Sequence, residues 1–206
     1  MKNYKENIGL VILLFVNIIG VVGFRSECLL PYFKSLTPFN LLFTLLICFF
    51  YLPWRPFISV FILLFSIGFG VELLGVKTGL LFGNYEYGST LGLKWYNVPL
   101  IIGLNWFVLA IGARGCANRI TQNTFLQVLC ASLFMVGLDY LIEPVAMKYD
   151  FWDWSQNKVP LQNYFMWFLV SILMQVLLNK KSRLIPFSLA FAILISQLIF
   201  FGALSL

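Results

Sequence analysis

The chain has 206 residues, of which 61% are hydrophobic, 18% aromatic and only 11% charged, and histidine is missing altogether. A water-soluble domain carries roughly 25% charged residues to cover its surface, so this composition excludes one and makes lipid the solvent. Without histidine there is no imidazole proton transfer, no histidine triad and no histidine-ligated zinc or haem. Acid–base chemistry is left to carboxylates, tyrosines, lysines and cysteines.

A helix that crosses a bilayer needs about 17–25 mostly apolar residues. Seven runs meet that scale, at about 8–24, 37–54, 57–75, 96–113, 124–147, 160–179 and 184–205. The first follows Lys2 and Lys5 like the apolar region of a signal peptide. No small-x-small cleavage site follows between Val21 and Cys28, so it is expected to stay as an anchor. The second is short and bounded by Pro53 and Pro56. The fifth is long and is expected to break near Pro144, because proline removes a helical N–H. The expected fold class is all-α: a single polytopic membrane helix bundle, residues 1–206, of about seven transmembrane helices.

Cys28, Cys48, Cys116 and Cys130 stand alone at wide spacing, with no metal-binding pattern, and read as small apolar residues. The net charge of +6 comes from scattered bases, with one cluster at Lys180, Lys181 and Arg183. That arrangement fits membrane orientation better than nucleic-acid binding. With the N-terminus inside, the inner loops hold Lys2, Lys5, Arg55, Arg114, Arg119, Lys180, Lys181 and Arg183. The outer ones hold Arg25, Lys34, Lys77, Lys94, Lys148 and Lys158. The acids are more lopsided: Glu6 alone falls inside, whereas Glu27, Glu72, Glu86, Asp139, Glu143, Asp150 and Asp153 fall at or toward the outer side. The expected orientation is N-inside and C-outside, with the polar chemistry in the outer half.

Laying the two acid-rich loops over each other exposes an internal repeat. Val98-Pro99-Leu100 precedes Trp106-Phe107, and Val159-Pro160-Leu161 precedes Trp167-Phe168, with eight residues from Val to Trp in both. Upstream, Glu72 stands 14 residues before Glu86 in Tyr85-Glu86-Tyr87, and Asp139 stands 14 before Asp153 in Trp152-Asp153-Trp154. The second copy is six residues shorter between its loop acid and its Val-Pro step. The expected halves, about 57–113 and 124–179, share one orientation, as parallel repeats do in some transporters. The two loops are expected to face each other across one site.

An ionisable residue inside a span costs about 2.5–3.5 kcal/mol on insertion scales and marks function by default. Glu72 lies near the end of the third span, and Asp139 and Glu143 lie four residues apart, on one face of the fifth. Two such carboxyl groups in a low dielectric do not both ionise easily. One keeps its proton and the other stays charged, which supplies an acid and a base without histidine. The competing structural reading is a set of interhelical hydrogen bonds with Asn17, Asn105, Asn163 or Tyr140. Tyr85, Tyr87, Trp95, Trp106, Trp152, Trp154 and Trp167 fit an interfacial aromatic belt, or else walls whose π faces stabilise a cation.

The run Glu72-Leu73-Leu74-Gly75-Val76-Lys77-Thr78-Gly79 leads to Phe82-Gly83-Asn84-Tyr85-Glu86-Tyr87, then Leu91-Gly92, Asn97-Val98-Pro99 and Trp106. With Asp139, Glu143-Pro144, Trp152, Trp154, Val159-Pro160, Asn163 and Trp167, it resembles the carotenoid 1,2-hydratase family of bacteria and archaea, over about residues 70–170. The resemblance implies an integral membrane hydro-lyase of the bacterial inner membrane, without a cofactor. Such an enzyme adds water across the terminal C1–C2 double bond of an acyclic carotenoid end, as in lycopene or γ-carotene, and its partners would be other carotenoid biosynthesis enzymes. Glu72, Asp139 and Glu143 become the candidate catalytic residues, with protonation expected from the Asp139/Glu143 pair and water orientation from Glu72. Tyr85, Glu86, Tyr87, Trp106, Trp152, Asp153, Trp154, Asn163 and Trp167 become the candidate substrate contacts. The division of roles among the carboxylates stays open. Two other readings remain, a membrane lycopene cyclase and a non-enzymatic carotenoid-binding or transport protein. A retinal protein is excluded because none of the nine lysines lies deep in a span.

Overall fold

Apolar runs of this length in lipid must satisfy their backbone internally, and helices do so within one segment. The computed structural model describes residues 2–206, and the side chains of residues 8, 9 and 11–206. The side chains of Lys2, Lys5 and Glu6, counted for orientation above, lie outside the described residues. Seven helices form: α1 Lys2–Arg25, α2 Leu30–Tyr51, α3 Trp54–Thr78, α4 Leu100–Ile120, α5 Thr124–Lys148, α6 Leu161–Leu178 and α7 Phe187–Ser205. Six of them, α2 to α7, with α6 continued to Leu184, are long and apolar enough to cross a membrane.

Several expected boundaries move, and α4 runs seven residues past its expected end at 113, to Ile120. Helix α2 starts at Leu30, seven residues before the expected 37, and carries Pro38 inside it. Helix α5 does not break at Pro144 but runs on to Lys148. A proline withdraws one N–H and crowds the carbonyl four residues back. Here only Val145 to Lys148 follow it, so the helix is nearly over where the bond is lost.

Helix α4 is the axle of the bundle, buried on nearly all sides, and α3, α5, α7 and α2 pack around it. Small residues permit the approach: a Cβ on Gly112 would lie 2.8 Å from Ile193 of α7, and one on Gly68 of α3 would lie 2.7 Å from the Trp106 side chain. The second contact matters for function, because it lets the Trp106 side chain approach α3 closely.

At one end of the bundle the two acid-rich loops join as a two-stranded antiparallel ribbon, β1 Tyr85–Tyr87 against β4 Trp152–Trp154. The register sets Tyr85 opposite Trp154, Glu86 opposite Asp153 and Tyr87 opposite Trp152. Further bonds zip the loops together, among them Gly88 N–H to Phe151 O at 2.9 Å and Thr90 Oγ1 to Tyr149 O at 2.9 Å. The first loop also holds a hairpin, β2 Lys94–Trp95 with β3 Val98–Pro99. Its two-residue turn, Tyr96-Asn97, has φ of 48° and 66°, the positive pair that a type I′ turn requires. The hairpin sits in the stretch where the second loop is six residues shorter.

Candidate active site

Alternation along a strand sends neighbouring side chains to opposite faces. In β1 and β4 the inner face carries Tyr85, Tyr87, Trp152 and Trp154, and the outer face carries Glu86 and Asp153, both exposed. Directly beneath the inner face lie the carboxyl groups of α3 and α5. Glu72 Oε2 accepts the hydroxyl of Tyr85 at 2.6 Å and that of Tyr87 at 2.8 Å, and its Oε1 accepts the Trp106 indole N–H at 3.0 Å. Glu143 Oε2 accepts the indole N–H groups of Trp152 at 2.9 Å and Trp154 at 2.6 Å, and its Oε1 accepts Asn163 Nδ2 at 3.1 Å. Each acid is thus held by two aromatic donors from its following loop and one side chain from a neighbouring helix.

Asn163, in the first turn of α6, also donates to Asp139 Oδ2 at 2.8 Å. Asp139 Oδ1 is buried and has no hydrogen-bond partner among the described residues. All three carboxyl groups are withdrawn from solvent, at 4% exposure for Glu72, 0% for Asp139 and 2% for Glu143. No lysine or arginine bonds to any of them among the described residues. The compensation comes entirely from neutral N–H and O–H donors, which cluster here as buried polar groups must.

A cavity of about 30 Å³ opens between the acids, walled by Glu72, Tyr85, Tyr87, Trp106, Glu143, Trp152, Trp154, Asn163 and Trp167, with Phe82, Ile102, Asn105 and Ile142. That is room for about one or two water molecules. Trp106 and Trp167 stack in the wall, with centroids 3.9 Å apart and planes 23° apart, and Tyr85 lies 4.9 Å from Trp154. Burial first, then the Glu72 charge, pushes the hydroxyls of Tyr85 and Tyr87 above the ordinary tyrosine range, so both remain proton donors. A second, apolar cavity of about 430 Å³ lies between α1, α2, α4, α5 and α7 and shares Ile102, Asn105, Ile142 and Trp152 with the small one.

Most of the residues singled out in the sequence therefore meet at one chamber. Of the twelve candidate catalytic and contact residues three do not line it, and neither does Trp95. Asp139 sits behind Asn163 and touches the chamber only through that amide, and Glu86 and Asp153 are on the outer face of the ribbon, so these two carboxylates are not placed as substrate contacts. The competing hydrogen-bond reading named four partners for the acids, and only Asn163 bonds to them. Of the four amides that line the larger cavity, Asn17 and Asn105 were named as possible partners of the acids, whereas Asn40 and Gln197 were passed over. Each is the one amide side chain in an otherwise largely apolar helix, and that is the signal which could have found them.

Buried carboxyl groups around a water-sized chamber, at one end of a bundle with six helices of membrane-crossing length, define a multi-pass membrane protein with an internal acid site. The chain belongs to the carotenoid biosynthesis protein family, whose model matches residues 35–206. It is also similar to the bisanhydrobacterioruberin hydratase of Haloarcula japonica, 31% identical over 114 residues, which cover 49% of this chain and 37% of that protein. The match thus spans well under half the length of that relative. No solved structure matches the chain.

Proposed function

We propose that the protein is a carotenoid hydratase, which adds water to the terminal C1–C2 double bond of an acyclic carotenoid end. The observation that carries this reading is the pairing of Glu72 and Glu143 across a chamber of water size, walled by aromatic faces and adjoining an apolar cavity. The larger cavity is of drug-ligand size, so it takes one end of a long polyene while the rest stays in lipid. The similarity to a protein named as a hydratase supports the same choice.

The hydrogen bonds suggest the division of labour. Indole and amide N–H groups can only donate, so the three donors on Glu143 favour its carboxylate form, whereas the tyrosine hydroxyls on Glu72 can turn round and accept. Glu72 is therefore the proton donor: its O–H bond breaks as the alkene π pair forms the new C–H bond, leaving a tertiary cation at the neighbouring carbon. The faces of Tyr85, Tyr87, Trp152 and Trp154 stabilise that charge. Water adds through an oxygen lone pair, Glu143 takes its proton, and the tertiary alcohol leaves. Return of the proton from Glu143 to Glu72 through the chamber restores both groups. This reverses the roles expected with the family resemblance, because Glu143 is the more heavily N–H-bonded acid and Asp139 does not line the chamber. Asp139 acts as a positioning residue for Asn163. If the two halves are a duplication, their hydrogen bonds make Glu143, rather than Asp139, the counterpart of Glu72.

Expression in a bacterium supplied with lycopene or γ-carotene tests the reading: the pigment gains one water. Unchanged pigment with folded protein overturns it for those substrates, and a cyclised isomer of unchanged mass makes the protein a cyclase. The chamber end faces outward in this reading, with the N-terminus inside. In a chain whose exposed Cys28 is replaced by serine, an impermeant thiol reagent added outside then labels Glu86→Cys and spares Lys180→Cys, and the reverse pattern inverts the topology.

A further inference from the structure

At the end of the bundle opposite the ribbon, positive charge collects without a counter-charge. Lys180, Lys181 and Arg183 stand within the turn Asn179–Leu184 that joins α6 to α7, and Arg119 stands in the last turn of α4. Lys180, Arg183 and Arg119 are exposed and Lys181 is half-buried. The three bases of the turn make no side-chain hydrogen bond or ion pair among the described residues. Every acid whose side chain is described, from Glu27 to Asp153, lies in the half of the bundle toward the ribbon.

Buried bonds fix this turn to α4. Arg114 donates to Asn179 Oδ1 and to Ser182 Oγ at 3.4 Å, Asn118 Nδ2 donates to Ser182 O at 2.9 Å, and Ser182 Oγ donates to Asn179 O at 2.8 Å. Arg119 is steadied beside it by the Phe187 ring, with Cζ 5.1 Å from the ring centroid. Four like charges are thus held near one another, with the charge of Arg114 buried behind them. Such charges repel, so the arrangement favours an anion that bridges them, and guanidinium and ammonium groups suit a phosphate.

Next to the bases the surface turns apolar. Phe187 opens α7 and Phe191 follows one turn on, with the rings 5.7 Å apart and each residue 42% exposed. Helix α7 is long and apolar enough to cross a membrane, so this ladder runs from the charged turn toward the hydrocarbon, where a water-soluble acidic protein does not reach. A phosphate at one end of a molecule and an acyl chain at the other fit both parts.

We propose that Arg119, Lys180, Lys181 and Arg183 form a site for the phosphate of an anionic phospholipid whose acyl chain lies along Phe187 and Phe191. None of these residues lines either cavity, so the site is independent of the hydratase reading.

Lipid selection tests it. The tagged 206-residue chain is captured from detergent micelles that hold equal amounts of phosphatidylglycerol and phosphatidylcholine with identical acyl chains, and the retained lipids are extracted and quantified by mass spectrometry. The wild type is expected to retain phosphatidylglycerol by at least about fivefold over phosphatidylcholine, the worth of one lysine or arginine at an anionic surface. In Lys180→Gln/Lys181→Gln/Arg183→Gln the ratio is expected to fall toward one. Lys77→Gln/Lys148→Gln/Lys158→Gln removes as much charge from the ribbon end and is expected to leave the ratio unchanged. Equal retention in the wild type overturns the site even if no variant folds, and leaves the bases to an acidic protein. An unchanged ratio in the first triple variant overturns it as well. So does an equal fall in both, because net charge alone would then set the preference.

Discussion

Two buried regions of this bundle solve the same electrostatic problem with opposite signs. At the loop end, Glu72 and Glu143 each accept from three neutral donors, and Asp139 accepts from Asn163. At the other end Arg114, 0% exposed, donates to Asn118, to Gln127, to the Gln175 carbonyl, to Asn179 and to Ser182. Neither set is paired with an opposite charge, and the one ion pair among the described residues, Lys34 with Asp150 at 3.5 Å, lies in the loop region. The two ends differ in void. The donors of Arg114 are used up on packed partners that tie α4 to α5, α6 and the turn after it, whereas Glu72 and Glu143 border open space. A buried charge that is fully bonded and tightly packed is a structural tie. One that is bonded on one side and faces a water-sized chamber is available for chemistry.

The largest effect should come from the acids. Glu72→Gln and Glu143→Gln keep size but remove the exchangeable proton and turn one accepting oxygen into a donor, and each is expected to lower turnover at least about 100-fold in protein that still folds. Full activity in both would make the chamber a structural network. Arg114→Met should do the opposite, leaving several buried acceptors without their donor at a cost of about 2 kcal/mol or more. Thermal unfolding in detergent should reveal that loss, and the surviving folded protein should turn over normally. A catalytic defect in folded Arg114→Met would erase the contrast between the two ends.

Much of the chamber was legible because its chemistry is local in sequence. A carboxylate near a helix end, an aromatic-acid-aromatic triplet and a Val-Pro step each sit within one loop, and the matching spacings suggested that the loops meet. The ribbon register pairing Glu86 with Asp153 supplies that meeting. Period-two alternation would also have divided Tyr85 and Tyr87 from Glu86, had the triplet been read as a strand. Two things were not legible. Arg114 falls just past the apolar run ending near 113, and only the continuation of α4 to Ile120 buries it. Asn17, Asn40 and Gln197 are far apart in sequence, and which helices border one cavity is decided by packing, not by any local pattern.

A middle-sized effect separates the acids from their donors. Tyr87→Phe removes one hydroxyl from Glu72 and should lower activity about tenfold, the worth of one hydrogen bond to a charged group, whereas Trp95→Phe, outside the chamber, should not. The same hydroxyls give the loop end an alkaline weakness. Burial, reinforced by the Glu72 charge, raises Tyr85 and Tyr87 above the ordinary value of 10.0. As the pH climbs past that value the unfolded chain therefore loses these protons while the folded one keeps them, and stability falls. Tyr87→Phe should flatten that decline in melting temperature. An equally steep fall in the variant would place its source elsewhere.

The smallest effect tests the loop junction itself. Asp150 accepts the Ser89 hydroxyl at 2.7 Å and the Ser89 backbone N–H at 3.1 Å, and pairs with Lys34. Partial burial pushes its carboxyl up, but the Ser89 bonds and the Lys34 charge outweigh it and hold the group below its ordinary value of 3.8. A lowered carboxyl stabilises the fold above the ordinary value, and its contribution disappears as the pH falls through the lowered one. With the side chain 40% exposed, solvent screening limits the worth to less than about 1 kcal/mol. Asp150→Asn should therefore melt slightly earlier at neutral pH, and the gap should close below about pH 4 and narrow in high salt. A gap that persists in acid would show that its source is not the Asp150 charge, nor the backbone, because asparagine takes the φ of 64° as readily.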